Sequence, residues 1–213
     1  MHARNVSVIG GADGPTSFFI VGKDDKRKIK TRIQNYFRKR KQDRIKKRLT
    51  ASHHTLDEVV RFIEQEYGAV EVSQQSRIYL EQRRSIKEAR IMRYRPDLLG
   101  ELSEITPPRH DADSVQEFFD QIALRSKRVE AVPDDIFPID FHLYEITFPD
   151  NGNMQIAIEM TGNEIGISYS GNKKSMKQLK KQCKRIYSYY GVTAEDIRNE
   201  TERYHCLLAM LAS

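Results

Sequence analysis

Two cysteines in 213 residues are too few for a disulfide framework, and no C-x-x-C pair is present. Cys183 falls on one helical stripe with Met176, Leu179 and Ile186, so it reads as a small buried apolar residue. His205 and Cys206 are adjacent on an expected helix, where their side chains diverge, and no second ligand pair has metal spacing. That argues against a metal site. Long apolar runs are missing as well: Asp13 and Pro15 interrupt the stretch from Val6 to Val21, and nothing approaches the roughly 20 residues that cross a bilayer. A membrane span is therefore not expected. The apolar segment after Arg4 is too short for a secretory signal, so the expected protein is soluble and cytoplasmic. No nucleophile elbow, Walker loop, HExxH or dinucleotide fingerprint occurs, so no catalytic residues are assigned and an enzyme is not the favoured reading.

What the chain does have is charge. Hydrophobic residues make up 38% and charged residues 31%, enough for one good core or two small ones beneath a solvated surface. Residues 26–48 hold thirteen Lys or Arg against Asp43 alone, a local charge of +12; the whole chain carries +6, so the remainder is at −6. This segment has no glycine or proline, and Ile29, Ile33, Phe37, Ile45 and Leu49 recur at multiples of four. It predicts one long basic helix with a thin apolar stripe. On the functional reading Arg32, Arg38, Lys39, Arg40, Lys41, Arg44 and Lys47 neutralise phosphates while Tyr36 and Phe37 stack on unpaired bases. Two other readings stay open: the helix docks on the acidic remainder of its own chain, or on the acidic surface of a protein partner. Without zinc-finger spacing, an RNP motif or a helix-turn-helix, base specificity is not expected.

The next region reads as helical. Thr55 and Glu58 form a capping-box pattern ahead of a helix that turns Leu56, Val59, Val60, Ile63 and Tyr67 inward and stops at Gly68. A second helix is expected from about 73 to 95, with Ile78, Ile86 and Ala89 on one side and Pro96 ending it. Ser114 and Glu117 repeat the capping pattern before Val115, Phe118, Phe119 and Ile122, a third packing element. His53 and His54 lie in a polar linker with no acidic or thiol partner at ligand spacing. A proline-containing connector at 105–114, ahead of the third helix, is the best candidate boundary within the chain, and a second at 131–138 follows that helix.

Three alternating segments then appear, IDFHLYEITF, MQIAIEM and EIGISYS, joined by Asn-Gly and Thr-Gly turns, which predicts an antiparallel meander. Met154, Ile156, Ile158 and Met160 share one face and need a covering layer. Two helices can supply it: one carrying Leu179, Cys183, Ile186, Tyr187 and Tyr190 and stopped by Gly191, the other starting at Thr193 and carrying Ile197, Tyr204, Leu208 and Leu211. Asp140, His142, Tyr144, Glu145 and Glu159 offer acid–base groups, but alternation already demands polar residues on a solvent face.

At the N-terminus, the run Gly10-Gly11-Ala12-Asp13-Gly14-Pro15-Thr16 resembles the GGADGPT signature of the β subunit of sodium-ion-translocating decarboxylases. In that family the motif's aspartate lies on the sodium and proton pathway, so the resemblance implies a cation at Asp13 with Thr16 and Ser17 beside it. It covers under a tenth of the chain, and the family's other membrane spans have no counterpart here. The flanks, residues 6–9 and 17–21, read as two strands that could extend the meander, with Asp13 capping a short helix that begins at Gly14 and Pro15 as the alternative. In either case Asp13 can simply bond backbone amides of the turn, or the turn's amides can form an anion-binding nest near the basic helix.

The expected fold is α+β: mostly helical, with a three-stranded meander followed by two helices and an N-terminal hairpin as a possible extension. Its segments are 1–23, the glycine-rich motif; 24–50, the basic helix; 51–130, the helical region; and 131–213, the βββαα region in which the meander precedes the last helices. The expected function is binding or regulation through contact with a polyanion, nucleic acid first. The alternatives are an accessory relative of the decarboxylase β subunit and a structural protein on an acidic partner. No cofactor is expected; on the decarboxylase reading the ion is sodium.

Overall fold

The computed structural model describes residues 25–109, 111–149 and 151–212, with side chains from Tyr36 onward except that of Ala112. In chain order the elements are α1 (Asp25–Lys46), β1 (Ser52–His53), α2 (Leu56–Tyr67), β2 (Val70–Glu71), α3 (Arg77–Tyr94) and α4 (Ala112–Ala131), with two short 3-10 turns, Pro96–Leu98 and Gly100–Ser103, before α4. Then come β3 (Phe141–Phe148), β4 (Gly152–Glu159), β5 (Glu164–Ser170), α5 (Lys173–Tyr190), β6 (Gly191–Val192), α6 (Ala194–Asn199) and α7 (Glu202–Ala212). The class is mixed α+β with antiparallel sheets. Among the described residues no helix is long and apolar enough to cross a membrane. The larger sheet has the order β2-β3-β4-β5, so a short strand after α2 adds an edge to the meander; β1 and β6 pair separately, Ser52 opposite Val192 and His53 opposite Gly191. The expected N-terminal hairpin lies outside the described residues.

The chain divides into two compact units that interleave in sequence. The first takes the described residues up to Val70 together with Tyr144–Ile156 and Ile165 onward. Here α2 begins as its capping box requires: the Thr55 hydroxyl accepts from the Glu58 amide at 3.3 Å, and the Glu58 carboxylate accepts from the Thr55 amide at 2.8 Å. Gly68 ends it in the left-handed conformation. Leu56, Val59 and Ile63 are buried on the face toward α5. Helix α5 turns Leu179, Cys183 and Ile186 inward, and its Tyr187 hydroxyl donates to the Ile165 carbonyl at 3.3 Å, which ties it to β5. Burial pushes the Cys183 thiol up to about 12, so it packs as a neutral apolar group.

Beyond Thr193 the single expected helix is two. Thr193 caps α6, but Glu200 takes a left-handed conformation and stops it after six residues. Asp196 explains both ends: one oxygen accepts from the Thr193 amide at 2.9 Å, and the other accepts the Thr201 hydroxyl at 2.6 Å just past the break. Capping chemistry at the start therefore also fixes the stop, and α7 sets off from there with Tyr204, Leu207 and Leu208 buried.

The second unit comprises Glu71–Leu143 and Ala157–Glu164. Its apolar clusters are built around Ile91, Leu99, Val129, Val132 and Phe137, and around Tyr79, Phe141 and Leu143. The inward face of α3 differs from the expected one: Ile78 and Ala89 are exposed, whereas Tyr79, Lys87, Arg90 and Ile91 are buried. Two charged side chains stand where a hydrophobic pattern needs apolar ones, and each has an internal partner. Lys87 donates to the Val132 carbonyl at 2.6 Å and to Asp134 at 2.8 Å, and Arg90 pairs with Glu159. The cap of α4 lies three residues before the expected one: it is Asp111, which accepts from the Ser114 amide at 2.8 Å. Its Val115 and Phe119 are exposed rather than packed, and Val129 is the first of its described side chains to be fully buried.

Candidate polyanion interface

Helix α1 lies in the first unit and packs against α7. Its contact side is thin. Gln42, Ile45 and Leu49 are half-buried, while Phe37, placed by the sequence pattern on the apolar stripe, is 62% exposed beside Tyr36 at 61%. The two rings meet edge to face with centroids 5.8 Å apart. Tyr36, Arg40, Arg44 and Lys47 recur at the spacing of one helical face, so the aromatic pair and these cations point the same way, into solvent.

Among the described side chains, two cations of the segment serve the fold. Lys41 donates to the carbonyl of Ala212 at 3.0 Å, and Lys46 pairs with Glu200 and sits 5.7 Å from the centre of the Tyr204 ring. The Glu200 hydrogen bond holds the Lys46 ammonium above its ordinary range. Arg38, Lys39, Arg40, Arg44, Lys47 and Arg48 are exposed and form no ion pair with any described residue. Docking of α1 on its own chain thus uses Lys41 and Lys46 and leaves the outward face unmatched among the described residues. Arg32 belongs to the same helix, its side chain outside the described set.

A second basic face is present in the same unit. Helix α5 contains seven Lys or Arg, at 173, 174, 177, 180, 181, 184 and 185, and no acidic residue. Read by its apolar stripe alone, this segment conceals its opposite side; the charge count of KKSMKQLKKQCKR is the signal that finds it. Lys173, Lys177, Lys180 and Lys181 are exposed and form no ion pair with any described residue.

No family model, curated protein or solved structure matches this chain. The functional reading therefore rests on the residues themselves.

The acid–base candidates of the meander are engaged in local bonds. His142 has Nδ1 at 2.7 Å from Glu71 and Nε2 at 3.2 Å from Asp140, so both ring nitrogens are taken up. Glu145 accepts from the Asn153 side chain, and Tyr144 is buried. Glu159 is not on a solvent face as alternation predicts: it is 2% exposed, paired with Arg90, and accepts the amides of Asp140, Thr161 and Gly162. His54 stacks on Tyr189 at 3.8 Å and donates through Nδ1 to the Tyr189 carbonyl at 2.6 Å. Phe62 stacks on the other face of Tyr189 at 4.1 Å, which closes both sides of that ring. Asp13, Thr16 and Ser17, the residues of the sodium reading, lie outside the described residues.

Proposed function

We propose that this protein binds a polyanion, nucleic acid first, through the outward face of α1. The carrying observation is a solvent-facing row of cations, Arg40, Arg44 and Lys47, without carboxylate partners among the described residues, next to the exposed rings of Tyr36 and Phe37. Cations in that state gain by releasing the counterions of a phosphate backbone, and an exposed aromatic pair offers a stacking surface to unpaired bases. Lys39 and Arg38 are exposed elsewhere on the same helix and add to its field; Lys41 and Lys46 position the helix.

Fluorescence anisotropy with labelled single-stranded and double-stranded oligonucleotides tests the reading. The R40A/R44A/K47A variant loses affinity for both, since phosphate is common to them, whereas Y36A/F37A loses affinity mainly for the single strand, where stacking contributes about 1–3 kcal/mol per base. Unchanged affinity in R40A/R44A/K47A rejects the interface. Tight association of the wild type with an acidic protein and none with either oligonucleotide rejects nucleic acid as the partner.

A further inference from the structure

The basic faces of α1 and α5 meet at the C-terminal end of α7. Lys41 of α1 donates to the Ala212 carbonyl at 3.0 Å, and Lys184 of α5 donates to the neighbouring Leu211 carbonyl at 3.2 Å. Two ammonium groups on consecutive carbonyls bring the two helices' cations side by side, and the negative end of the α7 dipole offsets part of their repulsion. What remains is visible in Lys184 itself: burial, then the positive charges of Lys41 and Lys180, hold its ammonium below its ordinary range.

From that junction the cations of α5 run back along its outer face. Lys173, Lys177, Lys180 and Lys184 succeed one another at helical spacing over about 16 Å. They lie roughly a third of a turn round the helix from Leu179, Cys183 and Ile186, with Lys184 half-buried at the α7 junction. No large apolar or aromatic residue breaks this row, in contrast to α1 with its Tyr36 and Phe37.

Resting on the reading of α1, we infer that the outer face of α5 is a second contact for the same polyanion, one that takes phosphate alone. The two helices then divide the work. Helix α1 holds phosphate and stacks bases, and α5 extends the backbone track past the α7 terminus without regard to base or sugar. Any linear phosphodiester or phosphoanhydride chain satisfies α5, whereas only one carrying bases satisfies α1 fully.

The test compares the K173A/K177A/K180A/K181A variant with R40A/R44A/K47A, using a single-stranded oligonucleotide and inorganic polyphosphate as probes across a salt series, circular dichroism verifying the helices. The α5 variant is expected to weaken both probes by a similar factor and to flatten the log–log salt slope by about 3 on the single strand, from four contacts at about 0.7 each. The same positions changed to Gln give the same result if charge, rather than helix propensity, is responsible. An unaltered slope and affinity in the α5 variants, while R40A/R44A/K47A still loses binding, overturns the second contact and leaves the α1 reading standing. Unaltered binding in both sets overturns the two together. A loss confined to the oligonucleotide, with polyphosphate unaffected, overturns the phosphate-only assignment.

Discussion

Glu159 is nearly fully buried and gathers four donors: the Arg90 guanidinium and the amides of Asp140, Thr161 and Gly162. One carboxylate thereby pins α3 to the end of β4 and shapes the turn into β5. Because the two ions are desolvated together, removing either charge leaves the other uncompensated. E159Q and R90A are each expected to lower stability by about 3–5 kcal/mol in urea unfolding; a loss below about 1 kcal/mol contradicts the clamp. This pair is not legible in the sequence, where Glu159 falls in an alternating strand and Arg90 in a polar helix, and nothing local marks two charges as each other's partner. Gly191 is legible only as a helix stop. Its φ of +61° and the Ser52 carbonyl oxygen facing it add a second demand, since a Cβ there collides with the β1 backbone. G191A is expected to reduce thermal stability by disrupting the β1–β6 pair, and an unchanged melting midpoint contradicts that.

At the scale of elements, the parts announced by local chemistry are the ones legible in the sequence. The Thr55 capping box, the Gly68 stop and the turns of the meander depend on neighbours in the chain. Helix α3 departs from its apolar pattern because its buried stripe includes Lys87 and Arg90, whose partners Asp134 and Glu159 are remote in sequence. Asp134 yields a pH test. The Lys87 hydrogen bond, then the charge of Arg83, hold its carboxyl below the ordinary aspartate range despite some desolvation. A carboxyl with a depressed folded-state pKa stabilises at neutral pH and loses that contribution as pH falls through the folded value. D134N is therefore expected to melt below the wild type at pH 7, with the gap closing as pH drops below about 3.9; a gap independent of pH contradicts the assignment. In α5, Lys173 occupies the first turn, where the dipole disfavours cations and no acid is present. K173E should therefore gain about 0.3–1 kcal/mol at low salt while weakening polyanion binding. Lower stability in K173E contradicts the idea that this lysine is held against the helix's own preference.

Across the whole chain, residues 26–48 carry +12 and residues 173–185 carry +7, which leaves −13 on everything else in a protein of net +6. The first block is plain in the sequence as a run. The second is hidden by its amphipathic helix, where lysines alternate with the residues of a buried stripe. That these blocks approach one another at Leu211 and Ala212 comes from packing alone, through the contacts of α1 and α5 with α7. Segregation of charge on this scale raises the local concentration of anions and speeds their capture at low ionic strength. It also stores repulsion that salt screens over about 10 Å at 0.1 M.

The central claim is that this repulsion is relieved by a polyanion from outside the chain, and the melting midpoint at low ionic strength, followed as single-stranded polynucleotide is added, addresses it most directly. The account predicts a midpoint that climbs with polynucleotide concentration, as for any ligand held by the folded state alone, and a climb that disappears when salt is raised. A midpoint that stays level throughout the titration at low salt would contradict it.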